Sequence, residues 1–296
     1  LTQPNHASAA ERRKAGVYAF LAAAFYAVST PVAKTLLQSV GAIVLAGLLY
    51  LGAGLGMLLL RAARRGAGIK DREEPLGRGE RKYVLAMVAL DVMAPILLLA
   101  GLKLAAAANV SLLNNFEIVA TTLFAWLLFQ ERVSGRLWAG ILLVTAATAM
   151  LSLRDLDSLR FSAGSLLVLL ACACWGLENN CTRMLSSKDA RQIVVIKGLG
   201  SGGASLVIGL LAGEALPGVL IAMQSLALGF FSYGLSVYLY VKAQRHLGAA
   251  KTSAYYAVAP FIGALLSLAL FREVPGALFW AALAVMALGT AFVNKG

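Results

Sequence analysis

The chain reads as an all-α membrane protein: ten transmembrane helices in two inverted five-helix repeats. Its composition, an internal repeat and the placement of its basic residues all lead there. Of 296 residues, 60% are hydrophobic and 14% charged, whereas a soluble domain carries roughly 25% charged residues. The stretch Ala107 to Val133 recurs without a gap as Ala249 to Pro275, an offset of 142 residues. Ala107/Ala249, Ser111/Ser253, Phe129/Phe271 and Glu131/Glu273 coincide, and the register holds through Trp138/Trp280 and Thr148/Thr290. Basic residues crowd into alternate connections, which gives the predicted helices a direction.

Apolar runs of about 20 residues, enough to cross the hydrocarbon at roughly 1.5 Å per residue, define the spans. Residues 1–14 form a polar tail ending in Arg12, Arg13 and Lys14, expected to be cytoplasmic. The first repeat covers 15–153, a connecting loop 154–161, and the second, inverted repeat 162–294. The first span, about 15–34, stays apolar to Ala33, so it reads as a retained helix and not a cleaved leader. The second, 40–60, carries Gly52 and Gly56, a small-xxx-small spacing that favours close helix packing. Gly198 and Gly202 repeat it in the seventh. Between spans two and three, Gly66–Gly79 is rich in Gly, Arg and Glu and reads as a mobile cytoplasmic connection.

The third span, 83–103, holds Asp91 and, one turn later, Pro95, which frees a backbone carbonyl and can bend the helix. In the fourth, 107–129, Ser111, Asn114, Glu117 and Thr121 fall on one helical face. A carboxylate at that depth is expensive in lipid, so this stripe should face protein, water or a ligand. It suits a wet cavity wall, and interhelical hydrogen bonding is the competing reading. The fifth span is 135–153. In the sixth, 162–182, Trp175, Glu178 and Asn179 belong to its most polar patch. An aromatic ring beside a carboxylate suits an ammonium or aromatic solute; an interfacial Trp with a snorkelling Glu is the plainer alternative. Cys172 and Cys174 point apart on that helix, a poor metal or disulfide geometry, so Cys172, Cys174 and Cys181 are expected to be packing residues.

Lys197 is the lone deep cation of the seventh span, 191–213; it could pair with Asp91 or Glu178, or neutralise a substrate carboxylate. Tyr233, Ser236 and Tyr240 share a face of the eighth, 218–241. In the ninth, 249–270, Tyr256 stands at the place of Asn114, and Pro260 is expected to kink the helix. The tenth is 276–294. Glu131 and Glu273 close the fourth and ninth spans and are expected to tie neighbouring helices together.

Twenty Lys and Arg residues fall on the side of the N-terminus and five on the other, which places both termini in the cytoplasm. Five spans per repeat then invert the second copy, a hallmark of secondary transporters. The net charge of +12 lies in connections, so anionic lipid accounts for it and nucleic acid does not. No phosphate-binding GxxxxGK[ST] loop, HExxH or Ser/His pairing is present, so neither an ATP-driven pump nor an enzyme is expected. No cofactor or metal is called for.

Phe129-Gln130-Glu131 before Trp138-Ala139-Gly140, and Phe271-Arg272-Glu273 before Trp280-Ala281-Ala282, resemble the helix-end pattern of the drug/metabolite transporter superfamily, EamA type. Pro31 to Lys34 and Trp175, Asn179 and Arg183 resemble degenerate forms of its first-helix Trp-x-x-Asn…Lys pattern; Tyr26 replaces the expected Trp. The resemblance covers about 15–294. It implies an inner-membrane permease, usually an exporter of amino acids or other metabolites, with its cavity between the repeats. The polar and aromatic residues resemble those of its aromatic amino acid exporters.

The expectation is a carrier exporting aromatic or other apolar amino acids and related amphiphiles by alternating access. Asn114, Glu117, Trp175, Glu178, Asn179, Tyr233 and Tyr256 would line the site, Asp91 and Lys197 would be coupling or electrostatic partners, and Pro95 and Pro260 hinges. The small-molecule substrate and the bilayer are the expected partners, with protons as a possible coupling ion and a monomer or homodimer as the assembly. A passive channel, or a drug, nucleoside or lipid permease of the same fold, is the rival reading.

Overall fold

The structure, a computed structural model, describes residues 8–69, 73–104, 113, 116–152, 163–271 and 277–295. The described residues are helical throughout their regular structure: α1 Ala9–Ala27, α2 Ser29–Leu36, α3 Ala42–Gly66, α4 Arg81–Leu104, α5 Phe116–Leu127, α6 Gly135–Ser152, α7 Ala163–Leu185, α8 Ala190–Leu211, α9 Val219–Leu228, α10 Ser236–Tyr256, α11 Ala259–Phe271 and α12 Ala277–Lys295. A π-helical segment, Gly229–Leu235, joins α9 to α10. Four described runs are long and apolar enough to cross a membrane: Ala42–Gly66, Ala190–Leu211, Val219–Tyr256 and Ala277–Lys295.

The starts and stops follow local chemistry. Ser8 and Glu11 form a reciprocal capping box at the head of α1, satisfying donors the first turn leaves over. The predicted first span breaks after Ala27, four residues before Pro31, whose missing N–H leaves the Ala27 carbonyl without its helical donor. The Ser29 hydroxyl donates to the Tyr26 carbonyl at 2.6 Å across the break. The ninth span divides in the same way. Helix α10 ends at Tyr256 and α11 begins at Ala259, because Pro260 cannot donate to the Tyr256 carbonyl. Pro95, by contrast, lies inside an uninterrupted α4.

Two compact units are built from interleaved parts of the chain. The first comprises 1–89 and 181–246. Its spine is α3, which packs along α8, α9 and the π-helical segment. The glycines permit this, since a Cβ on Gly202 would lie 2.6 Å from the Leu51 nitrogen and one on Gly198 would enter the Gly54 backbone. The partners of Gly198 and Gly202 are therefore Gly47, Leu51 and Gly54. Gly52 and Gly56 instead face Leu226 and Phe230, so α3 is small on two faces.

Polar ends in this unit are tied across the sequence. Glu214, following α8, accepts from the amides of Ile43 and Val44 at 3.2 and 2.7 Å and caps α3. Asp189 caps α8 through the Arg191 and Gln192 amides. The expected mobile connection after α3 is clasped where it is described. Glu73 accepts from the Ala190 amide at 3.2 Å and from Arg245 at 2.9 Å. The Glu74 carbonyl accepts from the Asp189 amide at 2.7 Å, and Gln192 accepts from the Leu76 amide at 2.9 Å. Its polar groups pair with partners more than 110 residues away.

The second unit comprises 90–180 and 247–296. Helices α6 and α12 cross where Gly140 meets Gly289 and Val293, around a core of Ile141, Val144, Phe261, Phe279 and Met286. In the first unit Leu59, Leu85, Leu211, Val219 and Leu220 are all more than two-thirds exposed, an outward apolar surface suited to lipid.

Candidate functional site

The polar stripe of α5 meets the polar patch of α7 within the second unit. The Asn179 amide donates to a Glu117 carboxylate oxygen at 3.1 Å and to the Thr121 hydroxyl at 3.2 Å. Thr121 in turn donates to the Glu117 carbonyl at 2.8 Å. One position on, the Asn180 amide spans both helices, donating to the Thr121 carbonyl at 2.9 Å and the Gly176 carbonyl at 2.8 Å. The helices approach closely because a Cβ on Gly176 would lie 2.7 Å from the Thr121 nitrogen. Cys172, a turn earlier, donates its thiol to the Leu113 carbonyl at 3.4 Å, which fits the packing role expected of it.

This seam divides its labour. Asn180 and Thr121 are fully buried and their bonds hold the helices together. Glu117 and Asn179 are half-buried, and a carboxylate carries several acceptor sites. Trp175, also half-buried, lies one turn before Asn179 on the same face of α7, whereas Glu178 is only 2% exposed. Asp91 is buried in α4, one turn before Pro95. Tyr256 is half-buried at the last position of α10. Asn114 lies outside the described residues.

Tyr233 and Lys197 belong to the first unit. The Tyr233 ring, on the π-helical segment, takes edge-on contacts from Tyr26 and Tyr50 with centroids 5.4 and 5.5 Å away. Tyr50 carried no signal in the sequence. Ser236 donates its hydroxyl to the Ala22 carbonyl at 2.8 Å and packs α10 on α1. Lys197 is buried on α8.

Outside the spans, Lys188 pairs with Glu74 at 2.8 Å and Glu80 at 3.8 Å. The hydrogen bond to Glu74 raises the Lys188 ammonium above its ordinary value, and the same bond holds the Glu74 carboxyl below its own. Among the described residues, no His, Cys, Asp and Glu side chains gather as a metal site would require.

A multi-span all-helical bundle with a partly accessible polar seam between apolar helices is the architecture of a membrane transporter of small molecules. The comparisons agree. The EamA-like transporter family model matches residues 13–153 and again 162–295. A protein of Methanothermobacter thermautotrophicus described as an uncharacterized transporter is 27% identical over 271 residues, 84% of this chain and 77% of that protein. A crystal structure at 19% identity superposes with a TM-score of 0.74 over 97% of this chain and 98% of the other, so the two share a fold. The chain belongs to the EamA-like transporter family: it is a secondary transporter of small metabolites and not an enzyme.

Proposed function

We propose that this transporter exports aromatic or other apolar amino acids and related amphiphiles across the inner membrane by alternating access. In this reading ten spans form two inverted repeats with both termini cytoplasmic, which the register of 142 residues and the distribution of basic residues support. The observation that carries it is the Glu117–Asn179 pair: a half-buried carboxylate and a half-buried amide hydrogen-bonded to each other across two largely apolar helices. A carboxylate at this depth suits the ammonium of an amino acid, and the Trp175 ring offers cation–π or stacking contact. The reading also takes in Glu178, Tyr256 and Asn114, the last outside the described residues, as substrate-binding candidates, with Asp91 as an electrostatic partner and Pro95 and Pro260 as hinges. Tyr233 and Lys197, an aromatic ring and a cation of the first unit, remain further candidates for substrate contact in this reading.

Uptake of labelled tryptophan, phenylalanine and leucine into proteoliposomes, with and without a pH gradient, tests this. Saturable flux that falls at least about tenfold in Glu117→Gln and in Trp175→Ala is expected, the loss of one charge-assisted contact being worth roughly 1.5–3 kcal/mol. Acceleration by the gradient assigns proton coupling, and indifference to it assigns facilitated diffusion. No flux above empty liposomes, in folded protein, removes the amino-acid reading.

A further inference from the structure

Helix α10 holds one residue of non-helical backbone, Gly248, at φ 79° and ψ 177°. Glycine is demanded twice at this position. The positive φ disfavours other residues, and a Cβ there would enter the Glu131 carboxylate. The chain is anchored immediately on either side. Upstream, the Arg245 guanidinium donates from Nε to the Ser186 carbonyl at 2.6 Å, from Nη1 to Glu73 at 2.9 Å and from Nη2 to the Lys188 carbonyl at 2.9 Å. Downstream, Glu131 accepts from the Ala249 amide at 2.9 Å and the Ala250 amide at 3.3 Å. Arg245 and its partners belong to the first unit, and Glu131 with its two amides belongs to the second.

We infer that Gly248 is a swivel in the transport cycle, and that Arg245 and Glu131 are its positioning residues. Three guanidinium bonds fix the direction of the helix entering Gly248. Two carboxylate bonds fix where the next helical turn starts, because they satisfy amides that a helix start leaves without a partner. Rotation is thereby confined to the one residue with the widest choice of φ and ψ, as hinges of moving proteins require. Tyr256, two turns beyond Ala249 on the downstream segment, is re-aimed by any such rotation. The functional consequence rests on the carrier reading above; the division into two separately clamped segments does not.

Hydrogen exchange on the substrate-free protein in lipid nanodiscs tests that division. Arg245→Ala is expected to speed exchange about tenfold or more over residues 236–247 and leave 249–256 within about twofold. Glu131→Ala is expected to do the reverse, and Glu131→Gln, which keeps one of the two acceptor oxygens, to restore part of the lost protection. Deprotection of both sides by either variant would show one cooperative helix and overturn the swivel. No deprotection by either would overturn the clamps. In transport, Gly248→Ala is expected to lower Vmax about tenfold with KM within about twofold, the mark of a hindered conformational step; an unchanged Vmax means a static kink. If no amino acid tested is carried at all, the exchange measurements still decide the swivel, while the substrate reading falls on its own.

Discussion

Asn179 and Asn180 are neighbours in sequence and separate in role. Asn180 is buried, and its amide bridges two backbone carbonyls on different helices; Asn179 is half-buried and reaches Glu117. Asn180→Ala removes the side-chain bonds to both carbonyls, and at about 0.5–1.5 kcal/mol per bond it should cost roughly 1–3 kcal/mol. Thermal or denaturant unfolding of the purified protein checks this. Glu117→Gln retains an oxygen for the Asn179 amide, so its unfolding midpoint should stay near the wild type while transport falls. The sequence showed Glu117 and Asn179 as polar residues in the wrong solvent, which is a strong local signal. It did not show that Asn180 was the brace, since two adjacent asparagines differ only in which way their helix faces. Nor could it show Tyr50 beside Tyr233, because a tyrosine in an apolar run is compatible with many neighbours.

Among the elements, the helices were legible and their fastenings were not. Apolar length marks a helix within a window of about 20 residues, and Pro260 was expected to kink the ninth span, where the helix divides; the division of the first span ahead of Pro31 was not foreseen. Glu73 with Ala190, Glu214 with Val44 and Glu131 with Ala249 are separated by 117, 170 and 118 residues, beyond any local pattern. The π-helical segment was equally hidden, since the helical spacing assumed for Tyr233, Ser236 and Tyr240 does not hold through a wider turn. Two expectations follow at this scale. Glu214→Ala removes the cap of α3 and should destabilise by about 0.5–2 kcal/mol, read as an unfolding shift absent from a nearby exposed substitution such as Leu216→Ala. The Glu74–Lys188 pair should weaken at both extremes of pH. Glu74 has a lowered pKa, so its contribution is present above the ordinary carboxylate value and lost as pH falls through the folded one. Lys188 has a raised pKa, so its contribution is present below the ordinary ammonium value and lost as pH rises through the folded one. Because the pair is solvent-exposed, the effect is small and screened by salt. Amide protection over residues 74–80, taken relative to the intrinsic exchange rate at each pH, should therefore fall in acid, in strong base and in high salt.

For the whole molecule, the internal repeat was the most informative feature of the sequence, and the family model follows it by matching the chain twice. Spans at equivalent places in the two halves pack on each other within a unit: α3 on α8 in the first, α6 on α12 in the second. The carboxylate caps follow the same exchange. Glu214 after α8 caps α3, while Glu73 after α3 meets the start of α8. A duplicated chain whose halves fasten each other in this way suits a carrier that changes conformation in a defined manner. The most direct measurement is counterflow: proteoliposomes loaded with unlabelled phenylalanine, diluted into a trace of labelled phenylalanine. The account predicts a transient overshoot of label inside, abolished in Glu117→Gln and kept in Leu216→Ala. Label that only equilibrates with no overshoot, or an overshoot undiminished in Glu117→Gln, would contradict it.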